Sequence, residues 1–150
     1  MSASSSPSAF PLPIPFLQDL GVEFVRMADG QAEVALTLAP RHLNSWHVAH
    51  GGVTMTLLDT VMSMAGRSLD AGIRSGVTIE MKTSFMEPGG VEGCRMTAKG
   101  QVLKSSSTLC FCEGEVWNGE RLVAKASGTF KFIRRTDIAK KLGAETGQAA

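Results

Sequence analysis

Two hydrophobic rhythms run along this chain, a period of two that marks strands and a period near 3.6 that marks a helix. Ala32, Val34, Leu36 and Leu38 alternate with Glu33, Ala35 and Thr37, which predicts a strand over 31–38 with one buried and one wet face. A preceding run, 22–27, joins it through Asp29-Gly30, a pair that favours the tight turn of a hairpin. Further strands are predicted over 76–86, 93–103, 108–117 and 121–132, the last two joined through Asn118-Gly119. In the first of these four, Val77, Ile79, Met81, Thr83 and Phe85 fall on one face and Thr78, Glu80, Lys82 and Ser84 on the other. Residues 40–49 read as a loop, and 51–69 as a helix of about five turns whose end is marked by Arg67 and Gly72. On that helix Val53, Leu57, Val61 and Met64 share one face, and Gly52, Met55, Thr56, Asp59, Met62, Ser63 and Gly66 the other. Apolar or small residues nearly all round it predict burial. A single helical turn over 16–20, closed by Gly21, precedes the first strand. Two strands, one long helix and four strands give an α+β order, an antiparallel sheet wrapped around a long central helix.

Composition adds boundaries and exclusions. Ser, Pro and Ala dominate residues 1–15, which predicts a disordered arm, and a flexible tail is expected over 133–150 with at most a short frayed helix around 137–142. One domain, 16–132, lies between them. A net charge of +1, from 15 basic and 14 acidic residues, provides no field to hold a polyanion, so nucleic acid is excluded as a partner. Pro11, Pro13 and Pro15 break the only apolar stretch near the start, and with no basic run before it neither a secretory signal nor a membrane span is expected. A cytoplasmic location follows. Cys94, Cys110 and Cys112 form an odd set that matches neither a disulfide framework nor a zinc site, so reduced thiols in the core or at an interface are expected.

Asp59 is the most informative residue, because an ionisable group in the middle of a buried helix has to be paired, neutralised or used. Its structural alternative is a hydrogen bond to Thr56 or Ser63, one turn away. His50-Gly51-Gly52 stands where loop becomes helix, where the first amide N–H groups lack helical partners and a carbonyl oxygen can approach the backbone. The alternative there is a sharp turn into a crowded helix. His42, His47 and His50 crowd one segment, but their spacing matches no defined zinc pattern, and His50 reads best as a residue fixing the loop onto the helix. Lys104-Ser105-Ser106-Ser107 is either a polar turn or a phosphate contact. Met55, Met62 and Met64 read as core filler, with Met55 and Met62 on the face of Asp59, where an acyl chain would run. The sequence contains no GxSxG, P-loop or GxGxxG signature.

The combination Asn44, His50-Gly51-Gly52 and Asp59, spaced N-x5-HGG-x6-D, resembles the PaaI-like acyl-CoA thioesterases of the hotdog superfamily, the group that includes the bacterial phenylacetate-pathway thioesterase and human thioesterase superfamily member 2. The resemblance runs from about Phe16 to Phe132 and implies a hotdog fold and hydrolysis of an aryl- or medium/long-chain acyl-CoA. It implies that Asp59 activates water or attacks the thioester, that the Gly51 N–H polarises the carbonyl beside His50, that Asn44 places the carbonyl or the water, and that Thr78 orients the nucleophile. It further implies a homodimer or a dimer-of-dimers tetramer, with Asn44 and Gly51 of one subunit facing Asp59 and Thr78 of the other. Coenzyme A, part of the substrate and not a resident cofactor, would run along Phe85, Met86, Glu87, Pro88, Gly89 and Gly90, then along Lys104, Ser105, Ser106, Ser107, Thr108 and Leu109, with Lys131 nearby. The chain departs from relatives at Ser106 and Ser107, where Gly and a basic residue are usual, and at His47, beside Trp46, where a glycine is usual. Two other readings accompany this one: a hotdog domain that binds acyl-CoA without turnover, and a hotdog hydratase or dehydratase.

Overall fold

The computed structural model describes residues 10, 11, 13–70 and 74–146; expectations about the rest of the two arms and about Gly72 lie outside the described residues. In chain order the elements are α1 (Pro15–Leu20), β1 (Glu23–Ala28), β2 (Gln31–Thr37), a 3-10 turn (Pro40–His42), α2 (Gly51–Arg67), β3 (Arg74–Phe85), β4 (Arg95–Ser105), β5 (Leu109–Asn118), β6 (Arg121–Arg134) and α3 (Arg135–Thr146). Asp29 and Gly30 both take positive φ, 53° and 75°, as the hairpin between β1 and β2 requires. The strands form a single antiparallel sheet in the order β1-β2-β4-β5-β6-β3, which leaves β1 and β3 as edges. The expected α+β architecture, an antiparallel sheet against one long helix, is therefore present. α3 is longer than the turn expected there: it continues directly from β6, with Asp137 in the first turn, where the helix dipole favours an acid.

α2 lies on the sheet, and its depth is set by glycine. Gly100 on β4 and Gly114 on β5 are register partners under the helix. A Cβ at Gly100 would lie 2.6 Å from the Val61 carbonyl oxygen, and one at Gly114 would lie 3.0 Å from Met62 Cγ. Only glycine at Gly100 lets helix backbone and strand backbone approach this closely. Leu57, Leu58, Val61 and Met62 are in consequence without exposed surface, each worth about 1.5–3 kcal/mol of burial. Met62 and Gly66 thus belong to the sheet-facing side, a correction to the face expected for them beside Asp59. The open side carries Gly52, Met55, Thr56, Asp59 and Ser63, all exposed or half-buried, so among the described residues α2 is fully buried on its sheet side alone. Beyond Arg67 the helix end is tied to the hairpin tip, because Ser68 Oγ donates to the Ala65 carbonyl and accepts the Gly30 N–H, both at 2.7 Å.

β3 corrects a second expectation. Its register against β6 shifts between Thr78 and Glu80, so Ile79 is bulged out. Thr78 pairs with the buried Phe130 and Met81 with the buried Gly128, which puts both on the α2 side of the sheet. Strict alternation had set Thr78 against Met81; the extra residue reverses the pleat between them.

The three cysteines are free, and Cys110 and Cys112 are buried with their sulfurs 3.3 Å apart. Burial pushes both thiols well above the usual thiol range, so neither is a ready nucleophile. Among the described residues no helix is long and apolar enough to cross a membrane.

Candidate active site

Asp59 sits at the middle of the open side of α2, half-buried. Thr78 Oγ1 donates to Asp59 Oδ1 at 2.6 Å, a contact that exists because the bulge turns Thr78 toward the helix. The alternative partners one turn away are engaged elsewhere: Thr56 Oγ1 donates to the Gly52 carbonyl at 2.8 Å and Ser63 Oγ to the Gly76 carbonyl at 3.4 Å. Asp59 Oδ2 has no hydrogen-bond partner among the described residues, and Asp59 lines a cavity of about 510 Å³. A carboxylate beside a cavity, with one oxygen fixed and the other unbonded, is suited to take a proton or attack a carbon.

The amino end of α2 forms a second cluster. His50 is the N-cap, and its Nδ1 accepts the Gly52 N–H at 2.8 Å. The N–H groups of Val53 and Thr54 go to the His50 carbonyl. That leaves the Gly51 N–H with no acceptor among the described residues, at the positive end of the helix dipole. The His50 side chain thus caps the helix where the loop enters it. Asn44 holds the preceding loop: its Oδ1 accepts the N–H groups of Trp46 at 2.9 Å and Val48 at 3.4 Å. Its amide nitrogen has no acceptor among the described residues. In this loop His47 takes φ +59°, the left-handed region that glycine enters freely. Trp46 beside it is 84% exposed. His42 joins the second cluster through its backbone, whose carbonyl accepts the His50 N–H at 2.8 Å. Its buried ring accepts the Ala39 N–H at 2.9 Å through Nδ1, and its Nε2 meets the Leu20 carbonyl at 2.7 Å, which ties α1 to the loop before α2.

The Asn44 and Gly51 cluster shares a cavity of about 390 Å³ with Phe85, Met86, Glu87, Pro88 and Gly89. The two loops are locked together, since the Ala49 N–H donates to the Gly90 carbonyl at 2.9 Å. The chain itself thus joins the first proposed coenzyme A segment to Gly51. It does not join the second. Lys131 pairs with Val77 and with Leu109, whereas Phe85 is eight residues further along β3, about 26 Å away. At the β4–β5 turn Ser106 Oγ accepts the N–H groups of Thr108 and Leu109, so this serine has a complete structural role. Lys104 and Lys131 are exposed and have no ion-pair partner among the described residues.

Gly51 and Asp59 are also apart. Eight residues of helix separate them by about 12 Å, and each borders a different cavity. The walls around Asp59 include residues the sequence reading left outside the site: Ile14, the N-cap of α1, Phe16 and Leu17 of α1, Arg67 of α2, and Gly76 and Met81 of β3. No local signal marks them, because they meet only when α1 and β3 fold against α2.

Comparison with known proteins adds four likenesses. A family model described as "Thioesterase superfamily" matches residues 47–125, a span that holds His50, Gly51, Asp59 and Thr78 and begins after Asn44. Human acyl-coenzyme A thioesterase 13 is 30% identical over 122 residues, which are 81% of this chain and 80% of that one. Among solved structures, the PaaI protein of the E. coli phenylacetic acid degradation operon superposes with a TM-score of 0.72 at 27% identity, over 79% of this chain and 83% of that one. A hypothetical thioesterase protein of Streptococcus pneumoniae, solved with coenzyme A, gives 0.68 at 27% identity, over 75% and 89%.

Proposed function

The chain belongs to the thioesterase superfamily, and from that membership we propose that it hydrolyses acyl-coenzyme A thioesters to the free acid and coenzyme A, in a site shared by two copies of the chain. The observation that carries this reading is the spacing along α2 of one presented carboxylate oxygen, on Asp59, and one unpaired amide donor, on Gly51. An oxyanion donor has to lie about 3 Å from the carbonyl oxygen, and the attacking atom about 3 Å from the carbon. The roughly 12 Å between them on one helix is too far for a single thioester.

A second copy removes the difficulty. β3 is an edge strand with β6 on its one paired side. Two β3 edges joined antiparallel about their midpoint carry Asp59 and Thr78 of one copy toward Gly51 and Asn44 of the other. The same rotation moves the 85–90 segment of one copy toward the 104–109 turn and Lys131 of the other, which joins the two parts of a coenzyme A path. One two-fold axis thus repairs both separations.

In the assembled site the Gly51 N–H and the Asn44 amide bind the thioester oxygen as charge develops on it. Thr78 holds Asp59 Oδ1, and Oδ2 either takes a proton from an attacking water or attacks the carbonyl carbon itself. The carbon–sulfur bond then breaks, and the coenzyme A thiolate leaves and is protonated; after direct attack the acyl group remains on Asp59 as a mixed anhydride, which water hydrolyses to release the acid and restore the carboxylate. A thioester is already activated, so one carboxylate and two donors suffice without a serine–histidine pair. Coenzyme A takes part only as the substrate's leaving group, and no resident cofactor is needed.

The test is thiol release from an acyl-CoA panel by wild type, Asp59→Asn and Gly51→Pro. Proline deletes the Gly51 N–H at a helix position that tolerates it. Each variant alone should be inactive, and mixing the two should restore activity, because a mixed pair contains one intact site. Two active single variants refute the chemistry; two inactive variants that fail to complement refute the shared site. Single turnover in oxygen-18 water tests direct attack, since label in the Asp59 carboxylate requires an anhydride opened by water at the Asp59 carbonyl.

A further inference from the structure

The cavity beside Asp59 is long, and its walls differ from end to end. Along α2 it runs from Met55 through Asp59 and Ser63 to Arg67. From Asp59 to Arg67 is eight residues, about 12 Å. An extended chain advances about 1.1 Å per bond, so this stretch accommodates roughly ten carbons beyond the carbonyl. Met64 and Met81 contribute flexible apolar walls, which suit a chain of variable shape better than a flat ring held by fixed polar contacts. Arg67 closes the apolar part with a charged group.

The outer wall is α1. Its carboxyl end is pinned three ways: Leu17 is buried, Gly21 caps the helix in the left-handed conformation, and the Leu20 carbonyl meets the His42 ring. Its amino end has none of these ties and is held through the preceding chain, where the Phe10 ring packs 5.7 Å from the Phe24 ring. The N-cap Ile14 makes no side-chain cap, and the first turn has no acidic residue. Yet this is the end that overhangs the cavity, with Ile14 and Phe16 both lining it. Phe16 is 60% exposed, an apolar cost that nothing in the chain's own packing requires.

We propose that Ile14 and Phe16, on the amino-terminal turn of α1, form the outer wall of an acyl groove running from Asp59 to Arg67, and that this wall selects linear acyl chains of about ten carbons over short or aromatic ones. The proposal rests on the thioesterase reading above and names the acyl class that reading leaves open. A linear chain in the groove covers the exposed face of Phe16, and each methylene buried there adds binding. A chain of four carbons spans only about 4 Å of the groove and buries correspondingly less of this wall.

The experiment measures kcat/KM for straight-chain acyl-CoA thioesters from butyryl to palmitoyl, and for phenylacetyl-CoA, with wild type, Phe16→Ala and Phe16→Leu. Wild type should peak near decanoyl. Phe16→Ala should lower the decanoyl-to-butyryl ratio at least tenfold, mostly through KM, and Phe16→Leu should restore most of it. Binding of non-hydrolysable S-decyl- and S-butyl-coenzyme A thioethers, followed by calorimetry, runs in parallel, with the fold of each variant checked by circular dichroism. An unchanged ratio in Phe16→Ala, or a wild-type preference for phenylacetyl-CoA, overturns the wall. If no thioester is cleaved while thioether affinity still depends on Phe16, the wall stands and the hydrolytic reading falls. A misfolded Phe16→Ala leaves the decision to Phe16→Leu and Ile14→Ala, whose chain-length profiles must then shift toward butyryl for the proposal to survive.

Discussion

The two faces of α2 are built on opposite principles. On the sheet side Leu57, Leu58, Val61 and Met62 are fully buried over the Gly100 and Gly114 pair, and every contact serves packing. On the open side a carboxylate with one free oxygen stands among half-exposed small and apolar residues beside a cavity. A helix that only had to fold would put a soluble surface there. One that leaves Met55 exposed and Asp59 unneutralised by a cation is spending stability on chemistry or on a partner.

That contrast can be broken by substitution, and the largest effect belongs to the open face. Asp59→Asn should reduce kcat/KM for an acyl-CoA by about 10²–10⁴ and leave the melting temperature within error. A stability loss with retained activity would make the acid structural. On the buried face Met62→Ala should do the reverse, costing about 2–5 kcal/mol in denaturant unfolding, because its side chain fills the space over Gly114 and Gly128. The specific activity of the fraction that remains folded should be unchanged.

Thr78→Val tests the junction of the two faces. It deletes the donor to Asp59 Oδ1 while keeping shape, and kcat should fall about tenfold, the worth of a hydrogen bond to a charged group, with KM little changed. A smaller effect, of opposite sign, is expected at Thr83 on β3, whose buried hydroxyl has no partner. Thr83→Val should stabilise the fold by up to about 1 kcal/mol in denaturant unfolding. The smallest effect concerns the connection after α2, where the Arg74 side chain, hydrogen-bonded to Asp70, holds that carboxyl below its ordinary value. A lowered folded value means the pair contributes above the unfolded carboxylate range, and that contribution is lost as pH falls through the folded value. Asp70→Asn should therefore lower the neutral plateau slightly and flatten the acid limb of a stability–pH curve, with stability below the folded value unchanged.

Much of this was legible in the chain. The hairpin at Asp29-Gly30, the strands and the long helix all follow from periodicity and turn residues, because these are local preferences expressed over a few neighbours. The misreadings share one cause. Met62 and Gly66 went to the wrong face because the sheet-facing side of α2 is set by where glycines let it sink, and those glycines stand on strands far along the chain. Thr78 went to the wrong face because a bulge at Ile79 leaves no mark in a period of two.

By itself, the sequence determined the order of elements, the single acid placed inside an apolar helix, and the glycine pair at that helix's start, since each depends on residues close in the chain. Only the tertiary structure decided that Asp59 bonds to Thr78 and to neither hydroxyl one turn away, and that Gly51 keeps a free N–H while Gly52 does not. It also decided that α1 walls the cavity beside Asp59. The reason is physical: a hydrogen bond or a cavity wall is made by atoms within a few ångströms in space, and their separation along the chain carries no record of that proximity.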